Sequence, residues 1–254
     1  MARRRFFVDQ VRKGEAEISG EDAQHLTRVL RVEVGQKFEI TDNQRVWLAS
    51  VEMARKDLVR FSVIEEMSPG PELPPVTLYL ALIKFDRFEW AVEKATELSA
   101  TRIVPVEADR SERGLFDGSR KRVDRWRRIA REASEQSRRL RAPEIAEAIH
   151  LRDALQDASK YRIWFDERPG APPLLRGAPF LRGGQPDPPP SRPAADDSST
   201  ALLIGPEGGW TDPERDSFAA AGWTAASLGP SVLRAETAVC AALAVITQLH
   251  ITGA

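Results

Sequence analysis

The 254-residue sequence holds a single cysteine, Cys240. One thiol excludes an intramolecular disulfide framework and fits a reducing compartment. Cys240 lies in an apolar helical run with no polar partner nearby in sequence, so it reads as a small core residue rather than a nucleophile. Histidine is nearly as scarce, with His25, His150 and His250 the only three. No Cys/His cluster has zinc spacing, and no Gly-x-Ser-x-Gly elbow is present, so neither a metal site nor a serine-hydrolase triad is expected. There is also no Gly-x4-Gly-Lys-Ser/Thr phosphate loop, no early Gly-x-Gly-x-x-Gly fingerprint and no repeat of solenoid length. No run approaches the ~18 apolar residues of a membrane span. The basic opening residues lack the apolar stretch of a signal peptide, so the expectation is a cytoplasmic protein without membrane contact.

Net charge is also near zero, at -1, but it is unevenly spread. Between Arg102 and Arg141 there are 13 Arg and Lys against 7 Asp and Glu. A local excess of that kind suits a polyanion, although a solvated helix laced with ion pairs has the same composition.

Residues 1–70 read as short strands around one helix. Arg5–Val8, Lys37–Thr41, Val46–Val51 and Leu58–Val63 are the expected strands, with a turn at Asp42 and Asn43. Ser19–Arg31 starts with a cap and places Ala23, Leu26, Val29 and Leu30 on one helical face. Strands at this spacing suggest a small β-barrel. Arg3, Arg4 and Arg5 precede its first strand, and Arg28 and Arg31 close its helix, which makes them candidate RNA contacts. Cations in a last helical turn also suit the macrodipole without any function. Four prolines in Ser68–Pro75 mark a linker, with its proline-rich part at 71–75.

From residue 76 the pattern alternates between strand and helix. Strands are expected at Val76–Ile83, Arg102–Val106 and Tyr161–Phe165, and helices at Phe85–Leu98, Lys121–Leu140 and Ala154–Ala158. This is the pattern of an α/β domain with a mostly parallel sheet covered on both faces. Residues 166–200 contain nine prolines and almost no periodicity, so a disordered insertion is expected, either partly covering a ligand site or merely tolerated at the surface. Thr237–His250 is apolar nearly all round and should be buried under the sheet or in a subunit interface.

The most informative stretches lie between these segments. Leu202–Ile204 is a buried strand that breaks into Gly205-Pro-Glu-Gly-Gly209, and Thr211-Asp-Pro-Glu214 has the spacing of a capping box. Ala225–Leu228 and Gly229-Pro230 repeat the pattern before a helix from about Ala235. Strand, glycine loop and helix start make a cradle of backbone amides for a small ligand, and two such loops would stand side by side at one sheet edge. Glu207 and Arg234 are its main charged side chains. Glu207 could simply complement a helix dipole, and Arg234 could pair with Glu236.

Gly205-Pro-Glu-Gly-Gly209 followed by Leu228-Gly-x-x-Val-Leu-Arg-x-Glu-Thr-Ala238 closely resembles the RsmE family, the 16S ribosomal RNA (uracil-N3)-methyltransferases of the SPOUT superfamily, which act at position 1498. Lys84-x-Asp-Arg-x-Glu89, Lys94-Ala-Thr-Glu-Leu98, residues 132–143, Arg4–Val8 and His25-Leu-x-x-Val-Leu-Arg31 agree with that pattern. The resemblance covers all but residues 166–200. It implies a PUA-like RNA-binding barrel over 1–70 and a methyltransferase domain over 76–254 whose C-terminal segment threads a deep trefoil knot. It implies S-adenosylmethionine as cofactor, 16S rRNA or the small ribosomal subunit as partner, and a homodimer through the knot region. The implied cofactor-binding residues are Ile204, Gly205, Pro206, Glu207, Gly208, Gly209, Leu228, Gly229, Val232 and Leu233. Arg234 would lie against the target uracil. Arg139, with the helix at 121–141, would track phosphates. The base that takes the N3 proton stays open among Glu207, a partner-chain carboxylate and solvent. The competing readings are ribose 2′-O-methylation and a non-catalytic RNA-binding factor.

Overall fold

The structure, a computed structural model, describes residues 4–70, 72–177 and 199–252. Arg3 and most of the expected insertion, residues 178–198, lie outside the described residues. The chain divides into two compact units, Met1–Glu72 with Arg131–Ala142, and Leu73–Ala130 with Pro143–Ala254.

The first unit is a five-stranded sheet in the order β1-β3-β4-β5-β2. Its strands are β1 (Arg5–Phe7), β2 (Glu15–Ser19), β3 (Lys37–Thr41), β4 (Val46–Arg55) and β5 (Leu58–Met67). Strand β2 escapes the hydrophobic pattern because only Ala16 and Ile18 are apolar. Those two are buried while its two glutamates face out, as an edge strand with one wet face requires. Register shifts at Leu48/Ala49 and Val51/Met53 bend the long β4–β5 pair. Phe6, Ile18, Leu26, Ile40, Val51 and Phe61 fill the core.

The single helix expected over Ser19–Arg31 is two pieces, α1 (Gly20–Gln24) and a π-helical turn, His25–Val29. The Leu30 amide donates to the His25 carbonyl and the Val32 amide to the Leu26 carbonyl. This wider winding keeps Ala23 and Leu26 in the core but turns Val29 outward, to 64% exposure, against the expectation that it shares their face.

The second unit is a seven-stranded sheet in which every pair is parallel. Its strands are β6 (Val76–Ala81), β7 (Arg102–Glu107), β8 (Glu144–Ile145), β9 (Ile149–His150), β10 (Tyr161–Phe165), β11 (Thr200–Ile204) and β12 (Thr224–Ala226). The order is β12-β10-β11-β6-β7-β8, with β9 also on β7. Helices α2 (Phe85–Glu97), α3 (Leu115–Ser119), α4 (Val123–Gln136), α5 (Leu151–Ala154), α6 (Leu174–Gly177), α7 (Asp212–Ala220) and α8 (Ala235–Thr252) complete it, with α4 passing into the first unit at Arg131. Alternation along the strands supplies two cores. Leu78 and Leu80 join Phe88, Trp126, Val239, Leu243 and Ile246 on one face. Tyr79 and Ala81 join Trp164, Leu203, Trp210 and Phe218 on the other.

Three expectations shift here. Helix α4 ends at Gln136, short of Leu140, and Arg138 adopts a positive φ of 55° just beyond it. Helix α5, Leu151–Ala154, overlaps the expected Ala154–Ala158 only at Ala154. Part of the expected insertion is built into the core: the Ser227 amide donates to the Pro172 carbonyl, the Leu174 amide donates to the Ser227 carbonyl, and Leu174 is buried. Helix α8 buries one stripe, Val239, Ala242, Leu243 and Ile246; Val245 is half-buried against the same core, and Cys240 and Ala241 are half-buried in the single chain.

Candidate active site

Parallel strands deliver their following loops to one edge, and β10 lies between β11 and β12. Three loops therefore meet: residues 166–167 after β10, 205–211 after β11 and 227–234 after β12. Between them opens a cleft. The Thr211 capping box forms as its spacing demands, with the Thr211 hydroxyl accepting from the Glu214 amide and the Glu214 carboxylate accepting from the Thr211 amide at 2.7 Å.

Of the residues named from sequence, Ile204, Gly205, Pro206, Gly209, Leu228, Gly229 and Leu233 line this cleft. Glu207, Gly208 and Val232 do not. Glu207 points away to Arg87, at 3.2 Å, and the Gly208 carbonyl accepts from Arg110 at 2.7 Å. Val232 is 76% exposed. Arg234 is exposed at the foot of α8, its side chain paired with nothing among the described residues, Glu236 included.

The glycines of the first loop have a structural reason that the motif alone conceals. A β-carbon on Gly205 would stand 2.9 Å from the Trp210 ring, and one on Gly208 would stand 3.1 Å from the Arg110 β-carbon. Gly209 has a φ of +67°, and the Glu167 carboxylate occupies the place of its missing side chain. Trp210 is anchored by Nε1, which donates to the Phe165 carbonyl at 3.0 Å. The three glycines thus seat three neighbouring side chains and clamp the loop against β10.

The sequence pointed to a cofactor loop after Phe165 but named none of its residues. Asp166 and Glu167 both line the cleft, and Arg215 of α7 holds them. Its Nη2 donates to Asp166 Oδ1 at 2.9 Å and to Glu167 Oε1 at 3.0 Å, and its Nε donates to Asp166 Oδ2 at 3.1 Å. Burial pushes the Asp166 carboxyl up. The Arg215 hydrogen bonds, the Arg168 amide and both guanidinium charges outweigh burial and hold it below the usual carboxylate value. The available signal was two acidic residues directly after an apolar strand. Among the described residues, no lysine or arginine lines the cleft.

The arginines named for RNA fare unequally. Arg28 and Arg31 are exposed and Arg4 is half-buried. Arg5 turns inward: it is 9% exposed, and Nε and Nη2 donate to Glu39 Oε2 at 3.0 and 2.8 Å. Arg138 reaches the other Glu39 oxygen at 3.3 Å. Arg5 is thereby committed to a buried ion pair, which corrects its reading as a surface contact. Arg139 is half-buried, and burial pushes its guanidinium down to about 10.

Residues 71–247 match the family described as RNA methyltransferase domain, and residues 18–64 match the RNA methyltransferase PUA domain. The chain is 32% identical to ribosomal RNA small subunit methyltransferase E of Bacillus subtilis, over 96% of this chain and 95% of that protein. The chain belongs to this RNA methyltransferase family. A methyltransferase E from Synechocystis sp. is 33% identical over 95% of this chain and 75% of its own length. The structure of ribosomal RNA small subunit methyltransferase E from Neisseria gonorrhoeae, bound to S-adenosyl methionine, superposes with a TM-score of 0.81 at 27% identity, covering 98% of both chains. The α/β unit with its parallel sheet and the PUA-like N-terminal unit are those of the methyltransferase E family. Among the described residues no helix is long and apolar enough to cross a membrane.

Proposed function

We propose that this protein transfers a methyl group from S-adenosylmethionine to N3 of the uracil at position 1498 of 16S ribosomal RNA. The observation that carries the reading is the make-up of the cleft. It has apolar walls from Phe165, Ile204, Leu228 and Leu233 and two carboxylates, with no basic side chain among the described residues and an arginine, Arg234, unpaired among them and close by in sequence. Such a lining offers nothing to a phosphate but suits a nucleoside that carries positive charge. Methyltransferase E relatives and a structural neighbour bound to S-adenosyl methionine support it.

S-adenosylmethionine supplies a methyl group made electrophilic by its sulfonium. Gly205, Pro206, Gly209, Leu228, Gly229 and Leu233 form the walls that hold and orient it. Uracil N3 carries a proton and becomes a nucleophile only as the imide gives it up. Arg234 stabilises the negative charge that spreads onto the uracil carbonyl oxygens, and the proton leaves to solvent at the open rim. Glu207 is engaged by Arg87 and holds the glycine loop instead. Arg28 and Arg31 contribute phosphate contacts from the PUA-like unit.

The same reading includes a trefoil knot threaded by the C-terminal segment and a homodimer through the knot region, in the cytoplasm. The half-buried Cys240 and Ala241 of α8 support the dimer. The test is methylation of naked 16S RNA and of small subunits in parallel, followed by mass spectrometry of digested RNA. A methyl on uracil N3 is expected; one on a ribose 2′-oxygen contradicts the proposal.

A further inference from the structure

We infer that Glu167 reads the ribose of the cleft's ligand, accepting hydrogen bonds from its 2′- and 3′-hydroxyls; this rests on the cleft being the S-adenosylmethionine site. Among the described residues, five side chains lining the cleft can form hydrogen bonds: Asp166, Glu167, Trp210, Ser227 and Ser231. Three are spent. Both Asp166 oxygens accept from Arg215, and Oδ1 also accepts from the Arg168 amide. Trp210 Nε1 donates to the Phe165 carbonyl. The Ser227 hydroxyl closes the turn at Gly229, donating to its carbonyl at 3.0 Å and accepting from its amide at 3.2 Å. Ser231 is exposed.

Glu167 differs from all of these. Its Oε1 accepts from Arg215 at 3.0 Å, while Oε2 has no donor among the described residues. The side chain is 35% exposed and lies in the space that Gly209 leaves empty, so the carboxylate is held from two sides with one oxygen unused. Arg215 also bonds both Asp166 oxygens, so its one positive charge is shared between two carboxylates and the pair keeps a net negative charge. The lone pairs remain, and a vicinal diol offers two donors to them.

The experiment is titration calorimetry of the wild-type protein, Glu167→Ala and Glu167→Gln with S-adenosylhomocysteine and with its 2′-deoxy counterpart, two ligands of equal charge. The wild type should prefer the ribo ligand by about tenfold or more, as for a hydrogen bond to a charged group. In Glu167→Ala the preference should fall to within about twofold. Glu167→Gln, which keeps the volume and one acceptor toward Arg215, should fall between them and serves as the folded control. If Glu167→Ala keeps the wild-type ratio, or weakens both ligands equally, the inference is overturned while the cofactor reading stands. If the wild type binds both ligands alike, Glu167 reads no hydroxyl and the inference fails alone. If the wild type binds neither, the cofactor reading fails and takes the inference with it.

Discussion

Arg215 Nη2 lies 2.9 Å from Asp166 Oδ1, joining the helix that follows the glycine loop to the end of strand β10. Both side chains are about nine-tenths buried, at 11% and 10% exposure. Arg215→Ala leaves a buried carboxylate unpaired and should cost about 3 kcal/mol, measured by urea denaturation. It should also weaken cofactor binding, because Glu167 loses its tether. The folded Asp166 pKa is depressed, so its contribution to stability is present above the unfolded value of about 3.9 and is lost as pH falls below it. Acid unfolding below about pH 4 should therefore be shallower in Arg215→Ala than in the wild type.

Gly205→Ala forces a methyl group against the Trp210 ring. The ring must move, and the Nε1 bond to Phe165 lengthens or breaks. A stability loss of about 1–3 kcal/mol and altered tryptophan fluorescence are expected, together with weaker cofactor binding. Wild-type fluorescence and affinity in this variant would contradict the seating role.

These glycines show how far the sequence could be read. Gly205 to Gly209 announce a tight loop after a strand, and the capping box at Thr211 announces the next helix, because both signals are local. That Gly209 makes room for Glu167 is not local. It depends on β10 pairing between β11 and β12, across a segment whose proline-rich composition masks its ordered start. Strand β2 and the outward turn of Val29 escaped for related reasons: two apolar residues are too few to show a period, and a π-helical turn shifts the phase of a pattern read at 3.6 residues per turn. Arg5 looked like surface charge because nothing in its neighbourhood predicts that Glu39 of β3 lies beside it.

The Glu135 carboxyl, in the first unit, is pushed up to about 7, chiefly by burial and further by Asp22, against the opposing pull of Arg131, Arg4 and the Phe7 amide. A carboxylate whose folded pKa is raised stabilises the fold fully below its unfolded value of about 4.3, and that contribution is lost as pH rises through 7. Stability should fall by up to about 3 kcal/mol between pH 5 and pH 8 from this group alone. Glu135→Gln should flatten the dependence in denaturation measured across that window. An unchanged slope would show that another group is responsible.

Arg28→Ala and Arg31→Ala should each weaken RNA binding and lower the slope of log affinity against log salt by about 1. Arg5→Ala should instead destabilise the protein by about 3 kcal/mol, since Glu39 loses its closest partner in the core. A reduced salt slope without loss of stability in Arg5→Ala would reverse this assignment.

We propose that the cleft binds the cofactor while Arg234 acts on the target base. It is tested most directly by single-turnover methyl transfer to small subunits by Arg234→Ala at saturating S-adenosylmethionine, with cofactor affinity measured on the same preparation. Transfer should slow by about 100-fold or more, with affinity within a few-fold of wild type. Wild-type transfer, or transfer lost only because the cofactor no longer binds, would contradict it.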